Sequence, residues 1–258
     1  MPLSVDDILE RTQWDFFWVP PFAEVIDRPE LLYVRCHRDL VLLNCVTRTR
    51  AALERLDALV AEVSAAHRGV RSRWLVPATF DTTSLEAALD RAGYAPAAHH
   101  VVCAVSVDAY ALRPNPGFTV QQVHDRGTLL DCLLVADRAF GSAQERTESE
   151  LQFELDACTR PGRRVHRFVL YDADGAPISS GGLNAYPDLS FGFLWAGGTV
   201  PEARNRGAYS ALLAARVRVA RALGIERVGL YARTDTSAPV VERHGFARYG
   251  PMTYWDRA

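Results

Sequence analysis

The sequence runs to 258 residues, with 29 basic residues, all of them arginine, against 31 Asp plus Glu, for a net charge of −2. That balance argues against a general nucleic-acid binder, and no apolar run approaches the roughly 18 residues that a membrane helix needs. A hydrophobic share of 48% is ample for a packed core, in one large domain or two small ones.

The five cysteines (36, 45, 103, 132 and 158) show no Cys-x-x-Cys pairing and are odd in number, so reduced thiols in a cytoplasmic protein are expected. The start, Met-Pro-Leu-Ser-Val-Asp-Asp, has no basic region before an apolar stretch, and no secretory signal is expected. Seven scattered histidines without ligand spacing indicate no metal site.

In chain order, a helix is expected from Ser4, with Ser4 as its cap and Asp7 three residues on. Trp14, Phe16, Phe17 and Trp18 then cluster, as core, as an inter-domain contact or as a stacking surface for a ligand. Leu31 to Val34 and Asp39 to Val46 read as strands. Ala51 to His67 reads as an amphipathic helix with Leu53, Leu56, Val60 and Val63 on one stripe, closed by Gly69. A strand at Arg73 to Pro77, a helix at Thr83 to Ala92, and a strand at His100 to Val107 follow. Past the proline-rich stretch Ala111 to Gly117, a strand is expected at Phe118 to Val123. A helix at Gly127 to Phe140 follows, with Leu130, Leu133, Leu134 and Val135 as its apolar side. Gly141 to Cys158 reads as a polar loop and helix. Arg167 to Tyr171 and Ala176 to Asn184 form a hairpin about Asp172-Ala-Asp-Gly175.

The order strand, helix, strand, helix, Gly-aromatic, strand describes Asp39 to Val107 and again Phe191 to Trp255. Arg91-Ala-Gly-Tyr94 corresponds to Arg243-His-Gly-Phe246, an offset of 152 residues. A repeat of domain size is the natural inference. With Ala111 to Gly117 as linker, it places two domains at 1–112 and 113–258.

The chemistry points to Thr199 to Leu213, between the strand from Phe191 and a helix over Ala211 to Leu223. A strand, a polar turn with a glycine, and a helix start make a geometry suited to phosphate, because the first helical N–H groups lack intrahelical partners. Gly207 permits close approach of an anion, and Arg204 and Arg206 add charge. A plain turn with solvated arginines is the other reading of the same residues. The segment Val200-Pro-Glu-Ala-Arg-Asn-Arg-Gly-Ala-Tyr-Ser-Ala-Leu-Leu resembles the acyl-coenzyme A (CoA) loop of GCN5-related N-acetyltransferases (GNAT). Arg204, Asn205, Arg206, Gly207 and Ala208 fit that loop's pattern, whereas Tyr209 stands where a second small residue is usual. The strand Val228-Gly-Leu-Tyr-Ala and the segment Ser237 to Phe246 follow in the family's order. The resemblance covers roughly Phe118 to Trp255.

The resemblance implies an α/β (α+β) chain of two tandem GNAT folds, each a mixed, mostly antiparallel sheet flanked by helices. The first copy is degenerate, since Thr47-Arg-Thr-Arg50 is short and has no glycine. Acetyl-CoA or another acyl-CoA is the implied co-substrate, its pantetheine arm on the backbone at Gly198 and Val200. The pyrophosphate falls to the amides from Asn205 through Tyr209 to Ser210. The implied reaction is direct attack of an amine on the thioester. The family's usual proton-donating tyrosine falls on Val241, which leaves Tyr231 and Ser237 as substitutes, each also readable as packing or capping. Glu145, Glu148, Glu150, Glu154 and Asp156 form an acidic face, either solvated or drawing a cationic small-molecule acceptor. Competing functions are a non-catalytic acyl-CoA sensor and an acyltransferase fed by a carrier protein or aminoacyl-tRNA.

Overall fold

The computed structural model describes residues 3–79, 82–111, 117–141 and 145–258. The core of the expected linker, residues 112–116, and with it the expected domain boundary, lies outside the described residues, as do 142–144 of the polar loop.

In chain order the first elements are α1 (Val5–Thr12), β1 (Glu24–Arg28), β2 (Leu31–Arg35), β3 (Cys45–Thr49), α2 (Leu56–Ala66), β4 (Ser72–Pro77), α3 (Thr82–Arg91) and β5 (Ala95–Ser106). There follow β6 (Thr119–Gln122), α4 (Arg126–Phe140), α5 (Glu148–Thr159), β7 (Val165–Tyr171), β8 (Pro177–Tyr186) and β9 (Phe191–Thr199). The chain ends with α6 (Ala208–Ala222), β10 (Arg227–Arg233), α7 (Ser237–Arg243) and β11 (Ala247–Arg257). The fold class is the expected one, mixed and mostly antiparallel sheet flanked by helices.

The chain packs as two compact units. One holds Met1–Cys103 with Tyr231–Ala258, the other Ala104–Leu230. The crossings fall inside β5 and β10, so the last 28 residues pack with the N-terminal part of the sequence.

In the first unit β1, β2 and β3 are antiparallel, β3 and β4 are parallel, and β11 runs antiparallel to β4 from Met252↔Pro77 to Arg257↔Ser72. Arg73 and Asp256 pin that register through two hydrogen bonds of 2.7 Å. The core joins Leu31, Val46, Leu59, Val60, Val63, Trp74, Leu85 and Trp255. The stripe on α2 is Leu56, Leu59, Val60 and Val63. Leu53, expected on it, is 53% exposed in a 3-10 turn, because regular helix starts only at Leu56. The strand expected over Asp39 to Val46 is a 3-10 turn at Val41–Leu43 followed by β3, which runs on to Thr49. Beneath the sheet lies buried His67. Its Nε2 faces the Val34 carbonyl at 3.0 Å, which can only accept, so Nδ1 accepts from Ser72 Oγ at 2.7 Å. Ser72 Oγ in turn meets Tyr94 OH at 2.7 Å. Burial pushes the His67 imidazole down to about 4, the bond to Val34 opposing.

In the second unit β6, β7, β8 and β9 are antiparallel and β10 is parallel to β9. The Asp172–Gly175 turn forms as its residues dictate: Asp172 Oδ1 accepts from the amides of Asp174 and Ala176, and Gly175 takes a φ of 81°. On α4 the buried residues are Leu129, Cys132, Leu133 and Val135, whereas Leu130 and Leu134 are exposed, so the apolar side is rotated from the expected one.

Two details recur between the segments read as repeats. In each a helix joins two parallel strands, β3 to β4 and β9 to β10. In each the following helix closes on a left-handed glycine, Gly93 at φ 81° and Gly245 at φ 86°. The next aromatic N–H then reaches back five residues, Tyr94 to Leu89 O at 3.0 Å and Phe246 to Val241 O at 3.2 Å.

Candidate functional site

The glycines of β9 mark a bulge, as glycine inside a strand often does. Ser180 pairs with Gly198 but Gly182 pairs with Trp195, so Ala196 and Gly197 together face the single residue Gly181. Ala196 takes a φ of 44° and is exposed. On its other edge β9 pairs with β10 only at Phe191, Gly192 and Phe193. Neither Gly197 nor Gly198 has room for a side chain. A Cβ on Gly197 would stand 2.9 Å from the Tyr209 ring, and one on Gly198 2.9 Å from Ala139.

From Thr199 the chain makes a 3-10 turn at Pro201–Ala203 and enters α6 through two left-handed residues, Asn205 at φ 63° and Gly207 at φ 86°. Asn is among the few side chains that tolerate this region, and glycine adopts it freely. Gly207 is the N-cap of α6, and no side chain caps the helix. By contrast α1, α4 and α5 carry capping boxes at Ser4, Asp125 and Thr147. The amide of Ala211 bonds Gly207 O at 3.1 Å, so the amides of Ala208 and Tyr209 precede the helical ladder. Arg204 braces the loop, its Nε at 3.2 Å from Thr199 O and its Nη2 at 3.3 Å from Ala139 O. An ion pair between Arg138 and Glu202 ties the same loop to α4. Arg206 is exposed. The loop residues Arg204 to Ser210 therefore meet at one helix start with inherent anion affinity.

The backbone expected to hold the pantetheine arm faces the other way. The Val200 amide donates to Ile178 O at 3.0 Å, and Gly198 O accepts from Ser179 Oγ at 2.7 Å, so both residues address β8. Because direction alternates along a strand, Thr199 turns to the opposite edge, where Arg204 meets its carbonyl.

The substitutes for a proton donor lie in the first compact unit. Tyr231 is half-buried and packs against the cluster of Cys45, Leu75 and Met252. Ser237 Oγ accepts from the Arg233 amide at 2.8 Å, a structural bond at the start of α7. Val241 is fully buried in α7. The acidic face is committed to other bonds. Glu148 pairs with Arg126, Glu154 with Arg167 at 2.8 Å, Glu150 caps the Thr147 amide at 2.7 Å, and Asp156 accepts from Gln152 at 2.7 Å. These four acidic side chains therefore have partners within the protein. Among the described residues no group of His, Cys, Asp and Glu gathers that could hold a metal, and no helix is long and apolar enough to cross a membrane. The sequence reading passed over Arg216, whose signal was an arginine spaced four from Leu212 and four from Ala220 on a buried face.

Residues 131–246 match the model of the Acetyltransferase (GNAT) family. The family's chemistry is acyl transfer of the N-acetyltransferase type. Several solved structures share the fold at low identity. A GCN5-related N-acetyltransferase from Kribbella flavida is 14% identical with a TM-score of 0.70, over 100% of this chain and 96% of that one. A conserved protein of unknown function from Staphylococcus epidermidis is 13% identical with a TM-score of 0.64, over 94% and 97%. A tandem GNAT protein from the clavulanic acid biosynthesis pathway is 11% identical with a TM-score of 0.60, over 99% and 87%. No protein of curated function matches the sequence.

Proposed function

We propose that the chain is an N-acyltransferase that moves an acyl group, acetyl or another, from acyl-CoA to the amine of a small molecule. The observation that carries this reading is the start of α6, left uncapped behind the left-handed Gly207 at the end of a bulged strand. The pyrophosphate would sit on the amides of Ala208 and Tyr209, with Arg204 and Arg206 beside it. The arm would lie along the edge of β9 that turns from β8, at Thr199 and Gly197 rather than at Gly198 and Val200. The bulge residues Ala196 and Gly197, with no partner in the β8 register, would polarise the thioester carbonyl. The neutral amine attacks that carbon, the C–N bond forms as the C–S bond breaks, the nitrogen loses a proton and the departing sulfur gains one. Water delivers that proton in this reading, because Val241, at the position of the family's usual donor, has none to give. The N-terminal half is a second, degenerate copy of the fold without a CoA site.

Release of free thiol from acetyl-CoA against a panel of amines tests the enzyme, and calorimetric titration with CoA tests the site. The second reading, a CoA-binding sensor, draws on the fully buried valine at the position of the proton donor. Tight CoA binding with no thiol release from any amine would favour it.

A further inference from the structure

The inner face of α6 is apolar at Leu212, Leu213, Val217 and Ala220, yet Arg216 lies among them with 1% of its surface exposed. Its Nη1 reaches Gly182 O at a long 3.4 Å, and its buried Nε and Nη2 have no hydrogen-bond partner among the described residues. The titratable groups that act on it are the phenols of Tyr209 and Tyr110, with no carboxylate among them, and the Tyr209 ring centre lies 5.8 Å from the guanidinium. A buried cation without a counter-charge is expensive, and an opposite charge brought by a ligand removes that cost.

Where the guanidinium lies narrows the ligand. A Cβ on Gly181 or on Gly197 would come within 3.1 Å of its nitrogens, so two glycines of the bulge make the room it occupies. Gly197 adjoins the exposed Ala196. The unmatched donors therefore lie directly behind the bulge that the proposed function gives to the thioester carbonyl. Both supporting elements, α6 and β9, belong to the donor's side of that reading.

We propose that Arg216 binds a carboxylate carried by the acyl group of the donor, so that the chain prefers CoA thioesters of dicarboxylic acids to acetyl-CoA. A planar guanidinium whose Nε and Nη2 edge is free suits a carboxylate, which accepts two parallel bonds. This inference rests on the donor's arm lying along β9.

Equilibrium binding without any acceptor isolates the donor. CoA, acetyl-CoA and succinyl-CoA are titrated into the wild type, Arg216→Met and Arg216→Gln. The wild type should bind succinyl-CoA about tenfold or more tighter than acetyl-CoA, the scale of a charge-assisted bond. Both variants should lose that preference while affinity for CoA stays within about twofold. Arg216→Met should also melt no lower than the wild type without ligand, since an uncompensated buried charge has gone. Equal affinity for the two donors in the wild type, as an acceptor-borne carboxylate would give, overturns the assignment. So does a preference that survives either substitution. Failure of the wild type to bind CoA at all would strike the donor reading itself, whereas CoA binding without a carboxylate preference strikes this inference alone.

Discussion

The corner from β9 to α6 and the corner from β3 to α2 share an order of elements: a strand, a 3-10 turn, then a helix leading to a parallel strand. At the first, Asn205 and Gly207 turn left-handed and deliver the chain to a helix with no side-chain cap. At the second, the 3-10 turn Leu53–Arg55 runs straight into α2, which also has no side-chain cap, and the Arg55 amide already bonds Ala52 O at 2.9 Å, so the corners differ in their turn and not in their caps. Among the described residues between Cys45 and Ala66, none has a positive φ. The arginines differ in the same sense. Arg48 is held by Asp27 at 2.6 Å and by Arg28 O at 2.8 Å, and Arg50 lies 4.5 Å over the Trp14 ring. A cavity of about 430 Å³ does open there, but Glu30 lines it alongside Arg50 and Arg55. Element order alone does not make an anion site; the backbone angles at the turn do, by deciding which amides remain free.

Breaking the first corner should have the largest effect. Gly207→Val forces a β-branched side chain to adopt φ 86° or re-route the loop, and either outcome scatters the amides of Ala208 and Tyr209. CoA affinity should fall by more than about 100-fold while the variant remains folded by circular dichroism. Wild-type affinity by calorimetry in that folded variant would remove the phosphate cradle from the argument.

Acid should next weaken both units. In the first, His67 is buried and neutral with its pKa pushed down to about 4, against about 6.5 in an unfolded chain. A base depressed on folding contributes its stability above the unfolded value and loses it as pH falls from about 6.5 toward 4. His100, in the same unit, and His166, in the other, are also pushed down to about 4 by burial. The melting temperature should therefore drop across that window, and His67→Gln should make the slope shallower at the cost of a lower plateau. An unchanged slope in His67→Gln would show that His67 does not titrate with unfolding.

How much of this was legible varies with the kind of signal. Local signals held: the Ser4–Asp7 capping box, the Asp172 turn and the Gly-aromatic closures at Gly93 and Gly245 each depend on a few neighbouring residues. The bulge was announced by Gly197 and Gly198, because only a missing Cβ fits so close to Tyr209 and Ala139. What long-range packing decides was not legible. The C-terminal strand β11 joins β4 across 175 residues of sequence through Met252↔Pro77, and no local pattern encodes that partner. Leu53 and Leu130 fit helical periodicity yet lie exposed, since a 3-10 entry and a rotated helix move them off the core. Which edge of a strand a residue addresses was not legible either: Gly198 and Val200 bond β8, and a shift of one residue reverses the direction of every backbone group.

The substitutes for a proton donor should matter less than the corner. Tyr231→Phe keeps the packing against Leu75 and Met252, so turnover should fall by less than roughly tenfold, below the scale of a positioned general acid. Ser237→Ala removes the bond to the Arg233 amide and should lower stability by about 1 kcal/mol with little change in rate. A thousandfold loss in Tyr231→Phe at unchanged donor affinity would instead make that phenol the acid.

The smallest effect belongs to the second corner, and its smallness is the test. If β3 to α2 is a relic of a binding turn, then Arg50 is a stacking partner of Trp14 and not a phosphate ligand. Arg50→Ala would remove that cation–π contact, worth about 0.5–1 kcal/mol at a partly exposed site, and nothing from the CoA site. CoA affinity should stay within about twofold of wild type, and titration of either protein should give one site per chain. The neighbouring Glu10 adds a reason: its carboxyl, raised by burial and drawn back by the Thr79 hydroxyl and Arg50, already sets a negative group against that arginine. A diphosphate arriving there would face the carboxyl groups of Glu10 and Glu30. Two equivalent sites in the wild type, reduced to one in Arg50→Ala, would show that the first corner still binds and that backbone angles at the turn are not what separates the two.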